Sequence, residues 1–220
     1  MKPFEVNNGF VVYDERDISF REYSIQQICA GLYGILRDLN SAWRFYRVET
    51  PILIPAEEVS KEYDESYYFK TSESLALRPE TTFGSYQILL EMLNSYTHKL
   101  PLCVWQAGKS FRNEQDKTFK NIRFKEFYQL EFQCAYAIGS KADYFQCLLD
   151  AARTTIQNLV KSPFEIDIEP SDRLPSYSTK TWDIIEKNER MEIASISMRT
   201  DFDYPIVEVA IGLDRLLRFQ

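Results

Sequence analysis

Charged and aromatic residues that suit nucleotide binding concentrate between positions 112 and 131 of the sequence. They are Arg112, Glu114, Arg123, Phe127 and Glu131. An arginine offers a planar fork that matches phosphate oxygens, and an aromatic ring offers a face on which a planar group packs. The mixture therefore favours a site for a planar base and phosphates. The common alternative is the solvated face of an antiparallel sheet.

The alternation of residue types around these positions predicts the strands that would present them. The segment Ile122–Ile138 has one apolar face, formed by Phe124, Tyr128, Leu130, Phe132, Cys134, Tyr136 and Ile138. Its other face carries Arg123, Lys125, Phe127, Gln129, Glu131 and Gln133. The preceding segment Leu102–Glu114 divides in a similar way, and the polar stretch Gln115–Asn121 predicts the connecting loop. A long hairpin would place the candidate residues on one open polar face.

Further elements follow from periodicity along the rest of the chain. Helical spacing of apolar residues predicts helices over 20–39, over Thr82–Tyr96, and from a capping pair at Ser140 and Asp143 onward. Segments rich in β-branched residues predict strands at Val48–Ile54, Glu192–Asp201 and Val207–Ile211. We therefore expect an α+β fold, with a mainly antiparallel sheet flanked by helices. Residues 1–220 form a single domain in this interpretation.

Composition excludes several classes of protein. The chain has 220 residues, 45% apolar and 27% charged, which excludes disordered and fibrous chains. No apolar stretch is long enough for a membrane span, so no membrane partner is predicted. A net charge of −7 argues against a protein that coats nucleic acid. Four widely spaced cysteines and one histidine favour neither a structural zinc site nor a disulfide framework, and they predict a cytoplasmic location.

Three segments, in order, resemble the signature motifs of the class II aminoacyl-tRNA synthetases. The segment 47–53 (RVETPIL) is similar to motif 1, whose proline lies at the dimer interface. Phe111-Arg112-Asn113-Glu114, a loop and Arg123-Phe124-Lys125-Glu126-Phe127 resemble motif 2. The segment 208–217 (EVAIGLDRLL) resembles motif 3. Three fragments in the right order and context are far more specific than one.

The branch that the sequence resembles most is glycyl-tRNA synthetase, with a threonyl- or prolyl-type relationship as the nearest alternative within the class. Residues 77–81 (LRPET), 106–114 (QAGKSFRNE), 177–183 (YSTKTWD) and 199–203 (RTDFD) are each similar to stretches of that family. The resemblance implies a class II synthetase-like fold, a homodimer formed through the motif 1 region, and ATP and Mg²⁺ as cofactors.

The resemblance also implies an ATP site. Arg112 would hold the α-phosphate and the substrate carboxylate, and Arg123 and Arg215 would clamp the γ-phosphate end. Phe127 would stack on adenine, with Glu114 near its amino edge. Arg112 and Arg215 are thus the implied catalytic residues. Judged from its position at the start of a predicted helix alone, Arg215 could instead cap the helix or form a salt bridge.

The implied amino-acid site uses carboxylates, because an α-ammonium group requires them. Glu80 and Glu131 match the glycyl pattern, and Glu208 would contact the amino acid and bind Mg²⁺. A buried carboxylate paired with an arginine is the alternative for Glu208. Ala210 stands where the glycyl pattern has serine, and the RPETAQG pattern has become RPETTFG at 78–84. These departures widen the predicted substrates to glycine, alanine or serine.

The predicted function is ATP-dependent activation of a small amino acid as its adenylate and transfer to an acceptor. The sequence ends five residues after Arg215 (220 − 215), so the resemblance spans the catalytic core without an anticodon-binding domain. The acceptor would be a tRNA acceptor arm or another molecule. One alternative is a paralog that ligates the amino acid to a carrier protein, a protein side chain or a modified nucleotide. Another is a non-catalytic accessory or interaction subunit.

Overall fold

The computed structural model describes residues 5–7, 10–95, 99–113, 123–160, 162–168 and 177–220. Within these ranges the strands are β1 (Glu5–Asn7), β2 (Phe10–Val12), β3 (Arg44–Arg47), β4 (Leu53–Pro55), β5 (Leu75–Leu77), β6 (Leu102–Phe111), β7 (Glu126–Ala135), β8 (Phe164–Ile168), β9 (Ser178–Glu186), β10 (Met191–Arg199) and β11 (Ile206–Gly212). The helices are α1 (Glu15–Leu39), α2 (Ala56–Ser60), α3 (Thr82–Asn94), α4 (Tyr144–Leu159) and α5 (Leu213–Leu217), with a 3₁₀ turn at Glu65–Tyr67.

Seven strands form the main sheet, in the order β3-β6-β7-β11-β10-β9-β8. β3 pairs with β6 in parallel, and the other neighbouring pairs are antiparallel. Two small sheets, β1-β2 and β4-β5, lie outside it. Helices pack on both faces of the main sheet. The predicted α+β class, with a mainly antiparallel sheet flanked by helices, is therefore confirmed.

Helices α1 and α4 bury one face of the main sheet. The core there contains apolar residues from both helices and from the central strands, including Ile28, Leu32, Leu36, Leu130, Phe132, Phe145, Leu148, Val207, Val209 and Ile211. The Asp143 side chain caps α4 by accepting a hydrogen bond from the Gln146 backbone N–H at 3.1 Å. The start predicted for this helix is thus confirmed, and the cap satisfies one of the free N–H groups that every helix start exposes.

Helix α3 covers one end of the opposite face. It contributes Leu89 to a second buried cluster, together with Leu102, Val104, Ala135 and Ile206. A Cβ at Gly84, in the first turn of α3, would overlap the side chain of Thr50. Glycine therefore lets the segment after β3 lie directly against this helix. The rest of this face carries polar side chains and forms the candidate site.

Several predictions about the elements are wrong in detail. Of the strand predicted at Val48–Ile54, only the last two residues lie in a strand, because β3 ends at Arg47 and β4 begins at Leu53. The non-strand segment between β3 and β4 contains Pro51, which has no N–H to donate. Ile138, predicted on the core face, is 74% exposed because β7 ends at Ala135. Helix α3 ends at Asn94, before the predicted Tyr96.

Strands β8 and β9 were not predicted. In β9, polar and apolar residues mix without a clear period, whereas the five residues of β8 do alternate and could have been found. The loop predicted at Gln115–Asn121 lies outside the described residues, as does Glu114. Among the described residues, no cluster of cysteine, histidine and carboxylate side chains suits a metal ion, and all four cysteines are unpaired. None of the described helices combines the length and apolar character needed to cross a membrane.

Candidate functional site

The register of the central strands brings distant parts of the sequence together on the polar face. Glu131 of β7 lies between Gln106 of β6 and Ala210 of β11, directly opposite each. One pair further along, Gln133 lies opposite Glu208. Because opposed residues in antiparallel strands point to the same side, these side chains share one face. The motif 2 and motif 3 segments therefore build a common site.

This polar face was predicted to be open, and that prediction is wrong for its central part. Gln129, Glu131 and Gln133 are 8%, 1% and 0% exposed. The first turn of α3 closes over them, since the Thr82 hydroxyl donates a hydrogen bond of 2.6 Å to the Glu131 carboxylate. Alternation along a strand distinguishes its two faces but does not show which elements cover them. The candidate carboxylates thus lie at the bottom of a site rather than on a surface.

The pKa of the Glu131 carboxyl lies well above its ordinary value. Burial, together with the nearby charges of Glu80 and Glu208, raises the pKa of its carboxyl to about 8, against the opposing effect of the Thr82 hydrogen bond. Three carboxylates near one another in a buried place repel when ionised. A cation in their midst would relieve the repulsion, as the α-ammonium group of an amino acid would.

Glu208 is held by neighbours on adjacent strands. Its Oε2 accepts hydrogen bonds of 2.8 Å from both Gln133 Nε2 and Arg199 Nη1. Burial raises the pKa of the Glu208 carboxyl, and the Arg199 charge opposes that shift. The arginine is itself fixed by a bidentate ion pair with Asp201 and by the ring of Tyr86, 3.7 Å from its guanidinium carbon. Glu208 is therefore a buried carboxylate paired with an arginine, as its alternative interpretation predicted.

Arg112 lies between the carboxylates and the aromatic platform. Its Nη2 donates to Glu80 Oε2 at 3.0 Å, and its Nε donates to the Pro79 carbonyl at 3.1 Å. On the other side, its guanidinium carbon is 5.3 Å from the centre of the Phe127 ring. Arg112 thus contacts Glu80, a candidate residue for binding the amino acid, and also lies next to Phe127, the candidate residue for binding the base of the nucleotide.

Tyr63 is a site residue that the sequence did not indicate. Its hydroxyl donates a 2.9 Å hydrogen bond to the same Glu80 oxygen that Arg112 contacts. Burial, with the Glu80 charge, raises the pKa of Tyr63 well above its ordinary value, so the hydroxyl stays protonated and able to donate. Tyr63 lies in an irregular segment between α2 and the 3₁₀ turn, where no motif or periodicity marks it.

A cavity of about 150 Å³ adjoins these groups. Five of the predicted site residues line it, namely Arg112, Arg123, Phe127, Ala210 and Arg215. Glu80, Glu131 and Glu208 are not among its lining residues. The structure therefore separates a cavity with arginines and an aromatic ring from a deeper group of carboxylates, with Arg112 joining the two.

Arg215 forms a salt bridge, as its alternative interpretation predicted. Its Nη1 lies 3.4 Å from the Glu192 carboxylate and also donates to the Glu192 carbonyl. Glu192 lines the same cavity and has a half-exposed side chain. Glu192 is not marked in the sequence, because a single acid at the start of an apolar strand has no distinctive spacing.

Arg78 supports the site from behind. It is 4% exposed, and its fork donates to the Lys109 carbonyl at 2.9 Å and to the Thr50 carbonyl at 2.9 Å. A Cβ at Gly108 would lie 2.5 Å from its Nη2, so the glycine provides the space for the guanidinium. This buried arginine ties the motif 1, RPET and motif 2 segments together.

The donors at the site fit Mg²⁺ bound together with a substrate. Mg²⁺ in nucleotide sites uses one or two carboxylates plus substrate phosphates, so a cluster of three protein ligands is unnecessary. Both carboxylates have a cationic partner, because Glu208 pairs with Arg199 and Glu192 pairs with Arg215. Glu192, however, is half-exposed and lines the cavity, whereas Glu208 does not. Glu192 is therefore better placed than Glu208 to hold Mg²⁺ together with a nucleotide in this cavity.

The mainly antiparallel sheet thus carries an arginine-lined cavity next to a group of buried carboxylates. Residues 67–218 match the model of the tRNA synthetase class II core domain (G, H, P, S and T). The chain belongs to this family.

Curated relatives are glycine–tRNA ligases. The chain is 34% identical over 116 residues to the enzyme of Mesoplasma florum, a match that covers 51% of this chain and 26% of that protein. It is 33% identical over 141 residues to the enzyme of Mycoplasma mycoides, covering 61% of this chain and 31% of that protein. The matched region thus spans about a third or less of these relatives.

Solved structures share the fold at lower identity. Prolyl-tRNA synthetase from Cryptosporidium parvum, complexed with halofuginone and AMPPNP, superposes with a TM-score of 0.77 at 14% identity, covering 98% of this chain and 48% of that one. The pyrrolysyl-tRNA synthetase PylSc of Desulfitobacterium hafniense gives 0.64 at 23% identity, covering 87% and 67%. These likenesses concern the fold.

Proposed function

We propose that this chain activates a small amino acid with ATP, forming an aminoacyl-adenylate and pyrophosphate. The observation that carries the proposal is the position of Arg112, which contacts Glu80 on one side and lies over Phe127 on the other. A residue in this position can hold an amino-acid carboxylate and an α-phosphate at the same time. This is the arrangement that a reaction between them needs.

The chemistry requires charge stabilisation more than proton transfer. A carboxylate oxygen of the amino acid attacks the α-phosphorus, and the bond from that phosphorus to the β-phosphate bridging oxygen breaks. The nucleophile is already ionised, so no general base is needed. Arg112 holds the reacting groups in place, and Arg123 and Arg215 face the departing pyrophosphate. Glu192 would hold Mg²⁺, whose charge would neutralise that of the phosphates.

The amino acid would bind with its α-ammonium group among Glu80, Glu131 and Glu208. Its side chain would meet Ala210, which lies directly opposite Glu131 on the neighbouring strand. A methyl group at this position leaves more room than a serine side chain and offers no hydroxyl as a partner. We therefore propose glycine, alanine or serine as the substrate.

A tRNA acceptor arm is the proposed acceptor, in keeping with the glycine–tRNA ligase relatives. A carrier protein, a protein side chain or a modified nucleotide is the second candidate. Incubation with labelled amino acid, ATP and total cellular extract, followed by nuclease or protease treatment, distinguishes them. Nuclease-sensitive label would support RNA, and protease-sensitive label would support a protein acceptor.

We also propose a cytoplasmic homodimer formed through the motif 1 region. Ile52 and Leu53, which follow Pro51, are 42% and 48% exposed in the single chain. Exposed neighbouring apolar residues of this kind favour a protein interface. Sedimentation of the wild type and of an Ile52→Asp variant tests this assembly.

Amino-acid-dependent exchange of labelled pyrophosphate into ATP tests the activation step. We expect exchange with at least one small amino acid, and a decrease of at least about 100-fold in Arg112→Ala. Arg16→Ala is the matched control, because Arg16 is an exposed arginine on α1 far in sequence from the motifs. No exchange with any small amino acid would overturn the proposal. Absence of exchange would favour the alternative of a non-catalytic subunit, whereas unchanged exchange in Arg112→Ala would overturn the role of Arg112.

A further inference from the structure

Asp214 is a buried carboxylate that joins three distant parts of the chain. It is 2% exposed, and one of its oxygens accepts a hydrogen bond of 2.8 Å from the Tyr128 backbone N–H. Its other oxygen accepts a hydrogen bond of 2.8 Å from the Tyr13 hydroxyl. Burial raises the pKa of the Asp214 carboxyl to about 6, so it remains ionised at neutral pH and accepts both bonds.

The partners of Asp214 are neighbours of the proposed ATP residues. Tyr128 directly follows Phe127 in β7, and Arg215 directly follows Asp214 in α5. Asp214 and Tyr128 themselves also line the cavity. The hydrogen bond between them therefore spans the two elements that carry the aromatic platform and the second arginine.

The third partner comes from the segment just before α1. Tyr13 packs edge-on against Tyr128, with ring centres 5.6 Å apart. Arg21 of α1 lies over the Tyr128 ring at 3.8 Å and near Tyr13 at 5.0 Å. A tyrosine, an arginine and an aspartate thus form a packed group behind the cavity wall.

We propose that Asp214 is a positioning residue that sets the separation of Phe127 and Arg215 for ATP, with Tyr13 holding the carboxylate in its orientation. This inference rests on the proposed function, because it assigns these two residues to the nucleotide. One carboxylate oxygen joins α5 to β7, and the other is held by Tyr13 from the segment before α1. The carboxylate is therefore held from two sides, which fixes α5 against β7 more firmly than the Tyr128 contact alone. The group acts on the nucleotide half of the site, since Tyr128 and Asp214 line the cavity whereas the carboxylates of the amino-acid half do not.

The test measures substrate affinities in three variants. Tyr13→Phe removes one hydroxyl and keeps the ring, and we expect it to weaken binding of the analogue AMPPNP about fivefold. Asp214→Ala should weaken it by more than about tenfold. Asp214→Asn should restore most of the affinity, because its amide oxygen can still accept from the Tyr128 N–H. The KM for the amino acid should change by less than about twofold in all three.

Tyr136→Phe is the control. It also removes the hydroxyl of a half-buried tyrosine, but this hydroxyl faces only the Met198 sulfur, at 3.9 Å, among the contacts of the described residues. Its AMPPNP affinity should equal that of the wild type. Equal losses of affinity for both substrates, or unchanged AMPPNP binding in Tyr13→Phe, would overturn the positioning role.

The outcome also separates this inference from the proposed function. A wild type that binds AMPPNP but supports no pyrophosphate exchange would overturn only the activation chemistry. Absence of AMPPNP binding by the wild type would overturn both. If Asp214→Ala does not fold, the AMPPNP affinity of Tyr13→Phe still tests the positioning role. This variant loses only a hydroxyl group, and its part-buried ring keeps its packing contacts.

Discussion

Binding of the amino acid should release a proton from Glu131. Burial and the neighbouring carboxylates raise the pKa of this group to about 8, so the free protein holds it mainly protonated at pH 7. At one unit below its pKa, a carboxyl is about 90% protonated. An ammonium group among the carboxylates favours the ionised form. We therefore predict that binding of the amino acid at pH 7 releases a proton, at most about one per bound molecule.

Titration calorimetry in two buffers of different ionisation enthalpy measures this release directly. The Glu131→Gln variant should bind the amino acid more weakly and lose the proton release. Glu57→Gln, an exposed glutamate in the first turn of α2, is the matched control and should behave as the wild type. Binding without proton release in the wild type, or full release in Glu131→Gln, would refute the placement of the ammonium group at Glu131.

Further predictions concern stability and specificity. Because the native state keeps a proton on Glu131 that the unfolded chain loses, the free energy of unfolding measured with urea should fall as pH rises between about 4.5 and 8, less so in Glu131→Gln. Gly84→Ala should lower that free energy by about 2 kcal/mol through overlap with Thr50, whereas Gly34→Ala, a helix position where a Cβ meets nothing within 4 Å, should raise it by about 0.5 kcal/mol. Ala210→Ser should reduce kcat/KM for alanine relative to glycine about tenfold in the exchange assay.

The parts of the fold that the sequence predicted are those with a strong local signal. Helix α4 is predicted by the cap at Asp143 and by a continuous apolar stripe. Helix α1 is predicted by its apolar stripe alone. Strand β7 shows alternation because one face packs on those helices. The segment around Pro51 misled the prediction, because its β-branched residues favour a strand while contacts with Arg78 hold it in another conformation.

The candidate site was predictable where residues form ordered motifs and not where they act through the tertiary fold. Arg112, Phe127 and Arg215 were selected by motif spacing, and the structure brings all three to one cavity. Tyr63 and Asp214 depend on contacts between segments far apart in sequence, and Tyr63 has no neighbouring pattern. Burial of Glu131 likewise depends on α3, which lies about 50 residues away in the chain.

The formation of an aminoacyl-adenylate is the central claim, and an oxygen-labelling experiment tests it most directly. The amino acid that supports exchange is supplied with both carboxylate oxygens as ¹⁸O, and the phosphate products are analysed by mass after the activated amino acid is transferred to hydroxylamine. Attack of the carboxylate on the α-phosphorus leaves the bridging oxygen with the nucleotide when the carbonyl carbon is later attacked. The account predicts AMP that carries one ¹⁸O atom. Unlabelled AMP, or ADP with label in inorganic phosphate, would contradict it.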